Sequence, residues 1–145
     1  MSTLAVQQVV QARLVLSTRR SALLRVTLRY RADDPLAVRM LFPAEYSLDA
    51  GAPDTGPAVQ EVEWVFARQL LAAGLDQPTG LGDVHVRPAA GPLTAVELRA
   101  AEGVALLRFD TAELRDFLDR SLLLVPEGEE HHHLDPDRAL AELLR

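Results

Sequence analysis

A chain of 145 residues, 48% of them hydrophobic, is long enough to bury one core, and no apolar run reaches the roughly 20 residues of a spanning helix. The formal net charge of −6 opposes a nucleic-acid footprint, which depends on clustered positive charge and counterion release. Without cysteine there are no disulfides or thiolate metal sites, which fits a reducing cytoplasm, and the segment Met1–Val6 lacks the basic and apolar regions of a signal peptide. Every basic residue is arginine, and lysine, asparagine and isoleucine are absent, as a GC-rich bacterial genome would produce.

The first half alternates with period two, the mark of half-buried strands. Val9 to Leu16 reads as a strand, and Thr18-Arg19-Arg20-Ser21 as its hairpin connection. In Ala22 to Arg31, alternation puts Leu24, Val26, Leu28 and Tyr30 on one face and Arg25, Thr27, Arg29 and Arg31 on the other. A third strand, Leu36 to Phe42, opens after Asp33-Asp34-Pro35 with Leu36, Val38, Met40 and Phe42 on one face. Residues 44–58 carry proline, glycine and uncompensated acid, and predict a long mobile loop.

A fourth strand, Val59 to Phe66, places Val62, Trp64 and Phe66 inward, and Ala67 to Ala73 predicts a short helix ended by a left-handed Gly74. Pro78 to Asp83 reads as a turn shaped by Gly80 and Gly82. Strands follow at Asp83 to Arg87, Thr94 to Ala100 and, after a turn at Ala101-Glu102-Gly103, Val104 to Phe109. The period then becomes helical. Asp110 and Glu113 have capping-box spacing, Leu114, Phe117, Leu118, Leu122 and Val125 form one apolar stripe, and Asp116 and Arg120 stand at i and i+4. Asp135-Pro136 opens a C-terminal helix with Leu140, Leu143 and Leu144 inward. The reading is one α+β domain over residues 1–145: about seven mostly antiparallel strands, a short helix and two C-terminal helices, without an internal repeat.

No catalytic device emerges. His131-His132-His133 beside Glu129, Glu130 and Asp135 invites a metal, but three consecutive side chains converge poorly on one ion, so a solvated polar loop is expected. The Gly80-Leu81-Gly82 sequence is followed by a strand, whereas dinucleotide binding requires a helix there. Arg25, Arg29, Arg31 and Arg39 make a basic stripe without an aromatic platform, and pairing with Glu61, Glu63 or a neighbouring subunit is expected. Ser21, Thr79, Asp83 and His85 show no triad spacing. Asp83 and His85 would share a strand face, the one arrangement that would suit a hydrolase. No cofactor is implied.

Val62-Glu63-Trp64-Val65-Phe66-Ala67-Arg68 with Leu70-Leu71, then Pro78-Thr79-Gly80, Gly82-Asp83-Val84 and Pro88, are the residues by which the chain resembles the SsgA-like proteins of sporulating actinobacteria. Tyr30, Asp34-Pro35, Ala37-Val38, Leu106-Leu107, Phe117-Leu118, Val125-Pro126, Gly128, Glu130-His131, His133 and Asp135 extend the likeness from about Val9 to Leu144. Gln69, Arg87 and the long 44–58 loop depart from the family pattern and leave the branch open. The resemblance implies a Whirly-like fold of strongly curved antiparallel strands and a ring-like homotrimer. It also implies a non-enzymatic cytoplasmic role in septum placement or peptidoglycan remodelling, with FtsZ or another SsgA-like protein as partner and no membrane insertion. On that basis Arg68, His85, Arg87, Arg115 and Asp119 are expected to face a partner, while Val62, Trp64, Phe66, Leu70, Leu71, Gly80, Gly82, Phe117 and Leu118 form the structural core. A single-stranded nucleic-acid-binding module on the same fold is the alternative.

Overall fold

The computed structural model describes residues 4–43 and 61–133. The expected 44–58 loop and the C-terminal helix from Asp135 lie outside them. Strands β1 (Ala5–Val15) and β2 (Ser21–Arg31) form a long antiparallel hairpin, in register from Ala5 opposite Arg31 to Val15 opposite Ser21. The amides of Leu16 and Ser17 both donate to the Arg20 carbonyl and close the turn. Alternation does what it predicts: Leu24, Val26, Leu28 and Tyr30 are buried beside Val6, Val10, Ala12 and Leu14. Strand β3 (Ala37–Pro43) buries Val38, Met40 and Phe42, whereas Leu36 precedes the strand and is 56% exposed. In β4 (Glu61–Ala67), Phe66 is buried and Val62 and Trp64 pack half-buried against the core, with Trp64 opposite Met40.

After β4 come helix α1 (Arg68–Gly74), strands β5 (Thr79–Leu81), β6 (Val84–Pro88), β7 (Leu93–Ala100) and β8 (Gly103–Asp110), then helix α2 (Thr111–Leu124). All eight strands form one antiparallel sheet in the order β4-β3-β2-β1-β8-β7-β6-β5. The eighth strand is β5, a three-residue edge within the segment expected to be only a glycine turn. The element order is therefore four strands and a helix, twice over, a repetition that the residues do not display.

This order forces the sheet to curl. Strands β4 and β5 are the two edges, yet α1 and four linking residues join them. A flat sheet of eight strands would hold its edges roughly 34 Å apart. Seven helical residues and a short linker span at most about 28 Å. Accordingly α1 touches β4, β5, β6 and α2, and the core lies inside the curl. The halves meet where β1 pairs with β8 at only three positions, Ala12 with Phe109, Arg13 with Arg108 and Leu14 with Leu107. Helix α2 covers the rest of β1, and the Gln8 side chain fastens it: its amide nitrogen donates to the Glu113 carbonyl at 3.0 Å and its oxygen accepts from Arg120 at 3.0 Å.

Several local expectations need correction. Asp110 is the N-cap of α2, but its side chain makes no cap bond, so the capping box with Glu113 does not form. Arg120 reaches Gln8 instead of Asp116. Gly74 is the buried last residue of α1 and does not adopt positive φ; a Cβ there would overlap the Val86 side chain, so the glycine permits close helix–sheet approach. Gly80 and Gly82 are exposed and lie outside the core. Gly82 does take the predicted positive φ, 62°, at the β5–β6 turn, while Gly80 leaves room for the His85 ring. Leu70, Leu71, Phe117 and Leu118 are buried as expected.

Candidate functional site

The residue that departs furthest from expectation is Arg68. It was expected to face a partner, yet it is only 5% exposed at the start of α1. Burying a guanidinium requires partners for its donors and charge. Nη1 donates to the carbonyls of Ser121 at 3.1 Å and Val125 at 2.8 Å, both at the end of α2. Nη2 pairs with Glu130 at 2.9 Å, and the guanidinium carbon lies over the Tyr30 ring, 4.7 Å from its centroid. The positive charge thus meets the negative pole of a helix, a carboxylate and a π face. Glu130 is held below the usual carboxylate range first by its own backbone amide, then by Arg68 and the Gly128 amide. Burial raises the Tyr30 phenol above its ordinary value, and its hydroxyl donates to the Pro35 carbonyl at 2.8 Å. Arg68, Leu71 and Leu75 recur at i, i+3 and i+7, a spacing that already puts the arginine on the apolar stripe.

The other four expected contact residues stand on two separate surfaces. His85 and Arg87 are half-buried on β6. The His85 Nε2–H donates to the Gly82 carbonyl at 3.2 Å, and Arg87 pairs with Glu97 at 3.2 Å. Glu97 also accepts from Arg99 at 2.9 Å; that bond, with help from Arg87, draws its carboxyl below the usual range. Arg115 and Asp119 are exposed on α2, where Arg115 stands 3.7 Å from Asp76. Asp83 lies in the turn before β6, not in the strand, so it does not share a strand face with His85 as a hydrolase site would need.

The basic stripe divides. Arg39 pairs with Asp34 at 2.8 Å and with Glu63 at 3.7 Å, as its strand position suggests. Arg31 turns back to Asp33 at 2.7 Å, and Arg29 donates to Gln7 across the hairpin at 3.0 Å. Residues Glu130–His133 form a 3-10 turn instead of an irregular loop, with the His131 and His132 rings exposed and 4.0 Å apart. Among the described residues, no group of three or more His, Asp or Glu side chains is placed to hold a metal. No helix among them is long and apolar enough to cross a membrane.

The described residues thus form a curled antiparallel sheet locked by two helices, with the ionisable groups named above tied into structural pairs or spread over open surface. The family described as "Streptomyces sporulation and cell division protein, SsgA" matches residues 24–130. Relatives include the sporulation-specific cell division protein SsgB of Streptomyces coelicolor, 42% identical over 135 residues, covering 91% of this chain and 90% of that protein. SsgB of Salinispora tropica is 42% identical over 123 residues, covering 83% and 79%. The Streptomyces coelicolor structure reported with SsgB mutations that correlate to longitudinal cell division superposes with a TM-score of 0.76 at 39% identity, covering 90% of this chain and 96% of that one. An SsgA-like sporulation-specific cell division protein from Thermobifida fusca gives 0.78 at 32% identity, covering 98% and 97%. The chain belongs to the SsgA family of sporulation and cell division proteins.

Proposed function

We propose that the chain is a non-enzymatic cytoplasmic adaptor, recruited to the division septum, that binds FtsZ or another SsgA-like protein. Through that contact it directs septum placement or peptidoglycan remodelling during sporulation. The observation that carries this reading is the near-full-length similarity to relatives named as sporulation-specific cell division proteins. The structure lends support, because the side chains with chemical potential are engaged in holding the fold: Arg68 on the end of α2, His85 on its own turn, Glu97 between two arginines.

We further propose a single Whirly-like domain assembled as a homotrimer. The curled sheet with helices packed against it supports the likeness, and the outer edges of β4 and β5, which pair with no further strand among the described residues, would be the places to join copies. A trimer would present three copies of each weak contact surface, so that modest affinity becomes avidity on a polymer. His85, Arg87, Arg115 and Asp119 are the contact residues in this reading. Immobilised chain capturing purified FtsZ, with light scattering giving the mass of the free chain, tests both parts. Capture together with a threefold mass is expected. No capture at tens of micromolar would remove the direct FtsZ contact, and a monomer mass would remove the trimer.

A further inference from the structure

On the outer face of the sheet, the two halves of the molecule meet with like charges in register. Arg13 of β1 stands directly opposite Arg108 of β8. Arg13 is also opposite Leu23 of β2, which places Arg25, two residues on, diagonal to it on the same face. All three arginines are exposed. Directly opposed like charges destabilise a sheet, so this arrangement carries a standing cost. Arg29 and Arg39 are also directly opposed, but they, like Arg31, Arg87 and Arg99, each hold an acidic or amide partner. Among the described residues, Arg13 has only a 3.4 Å contact with the Ser21 hydroxyl, and Arg25 and Arg108 have no carboxylate within ion-pair distance. Two carboxylates share the neighbourhood. Glu97 is diagonal to Arg108 but already engaged by Arg87 and Arg99, and Asp110 stands two residues along β8. The exposed hairpin residues Arg19 and Arg20 extend the positive field beyond Arg13.

Apolar side chains are set among these charges. Leu23 is 54% exposed between Arg13 and Arg25, and Val104, further along β8, is 56% exposed. The aromatic rings of the sheet, Tyr30, Phe42, Trp64, Phe66 and Phe109, all belong to the opposite, core-facing side. A single-stranded nucleic acid would therefore find charge but no stacking surface, and would approach a chain of net charge −6. A carboxylate-rich peptide segment with aliphatic residues interleaved complements both features.

We propose that Arg13, Arg25 and Arg108, with Leu23 between them, form the docking surface for an acidic, leucine-spaced segment of a partner protein. The inference deepens the adaptor reading and rests on it for the partner being a protein. Anisotropy of a fluorescein-labelled peptide in which Glu and Leu alternate, titrated with the full chain at low salt, tests it. Binding that weakens with added salt is expected, as is a loss of about tenfold or more in the triple variant Arg13→Gln, Arg25→Gln, Arg108→Gln. The double variant Arg29→Gln, Arg99→Gln, which removes partnered arginines from the same face, should bind as the parent does. If the triple variant fails to fold, the single variant Arg108→Glu should show the same direction of loss. No binding by the parent chain, equal losses in the triple and double variants, or tighter binding of an oligo-dT strand or of anionic phosphatidylglycerol vesicles would overturn the proposal. FtsZ capture by parent and triple variant alike would sink this surface while leaving the adaptor reading intact. Peptide binding without FtsZ capture would keep this surface and remove the direct FtsZ contact.

Discussion

The Arg68 guanidinium lies 4.7 Å from the centre of the Tyr30 ring and donates at 2.8 Å to the carbonyl of Val125. Three distant stretches of chain thus meet at one side chain: strand β2, the end of α2 and, through Glu130, the turn that follows it. Helix α1 is short and joins the two edges of the sheet, so this contact fixes how far the sheet curls.

Arg68→Met should therefore be severe. It preserves much of the volume but leaves the buried Val125 carbonyl without its donor and removes the charge partner of Glu130, while the Ser121 carbonyl keeps only the Val125 amide. A loss of about 3 kcal/mol in urea unfolding is expected. Arg68→Lys should recover only part of it, because a compact ammonium cannot span the same acceptors. Parent-like midpoints for both variants would contradict the role assigned to Arg68.

Acidification should weaken the fold. The carboxyls of Glu130 and Glu97 are held below their ordinary range, the first chiefly by a backbone amide, the second chiefly by Arg99. The unfolded chain consequently binds protons at these sites before the folded chain does, so stability is fully present above the ordinary glutamate value of about 4.3. It declines as pH falls from there through the lower folded values. Glu130→Gln should flatten that decline, read as unfolding midpoint against pH between neutrality and acid.

Gly74→Ala and Gly82→Ala separate two uses of glycine. At Gly74 a methyl group would overlap Val86, and overpacking costs about 1–3 kcal/mol. At Gly82 there is open space, and the cost is only that of a left-handed backbone, about 1 kcal/mol. Val86→Gly, which removes both the Cβ and the Cγ1 that the methyl would meet, should couple favourably with the first variant and not with the second, as a thermal-melt double cycle would record.

Arg108→Gln removes one of two opposed like charges between β1 and β8. Thermal stability should rise, by up to about 1 kcal/mol at low salt, with the gain shrinking as salt is added. A fall in stability would show that the pair carries no repulsive cost.

Period-two alternation made β2 and β3 legible, because Leu24 to Tyr30 and Val38 to Phe42 bury one whole face each. The stripe of α2 is largely plain, with Leu114, Phe117, Leu118 and Val125 buried, although Leu122 is only half-buried and Ser121 is buried beside it. Strand β5 was not legible: three residues with a central glycine carry no period, and its pairing with β6 is what makes it a strand. The role of Gly74 is not legible locally, because it depends on Val86, twelve positions away, and not on its own backbone angle. Arg68 is legible only through its helical spacing with Leu71 and Leu75, which outweighs the usual surface preference of arginine. The pairing of Arg13 with Arg108 joins the two halves across most of the chain, and no local pattern announces it.

Co-sedimentation with FtsZ tests the proposed binding role directly, since avidity predicts a difference between polymer and monomer. The chain should pellet saturably with GTP-assembled FtsZ and only weakly with the unassembled GDP form. Failure to pellet with the polymer at tens of micromolar, under salt conditions where FtsZ itself sediments fully, would contradict a direct contact with FtsZ.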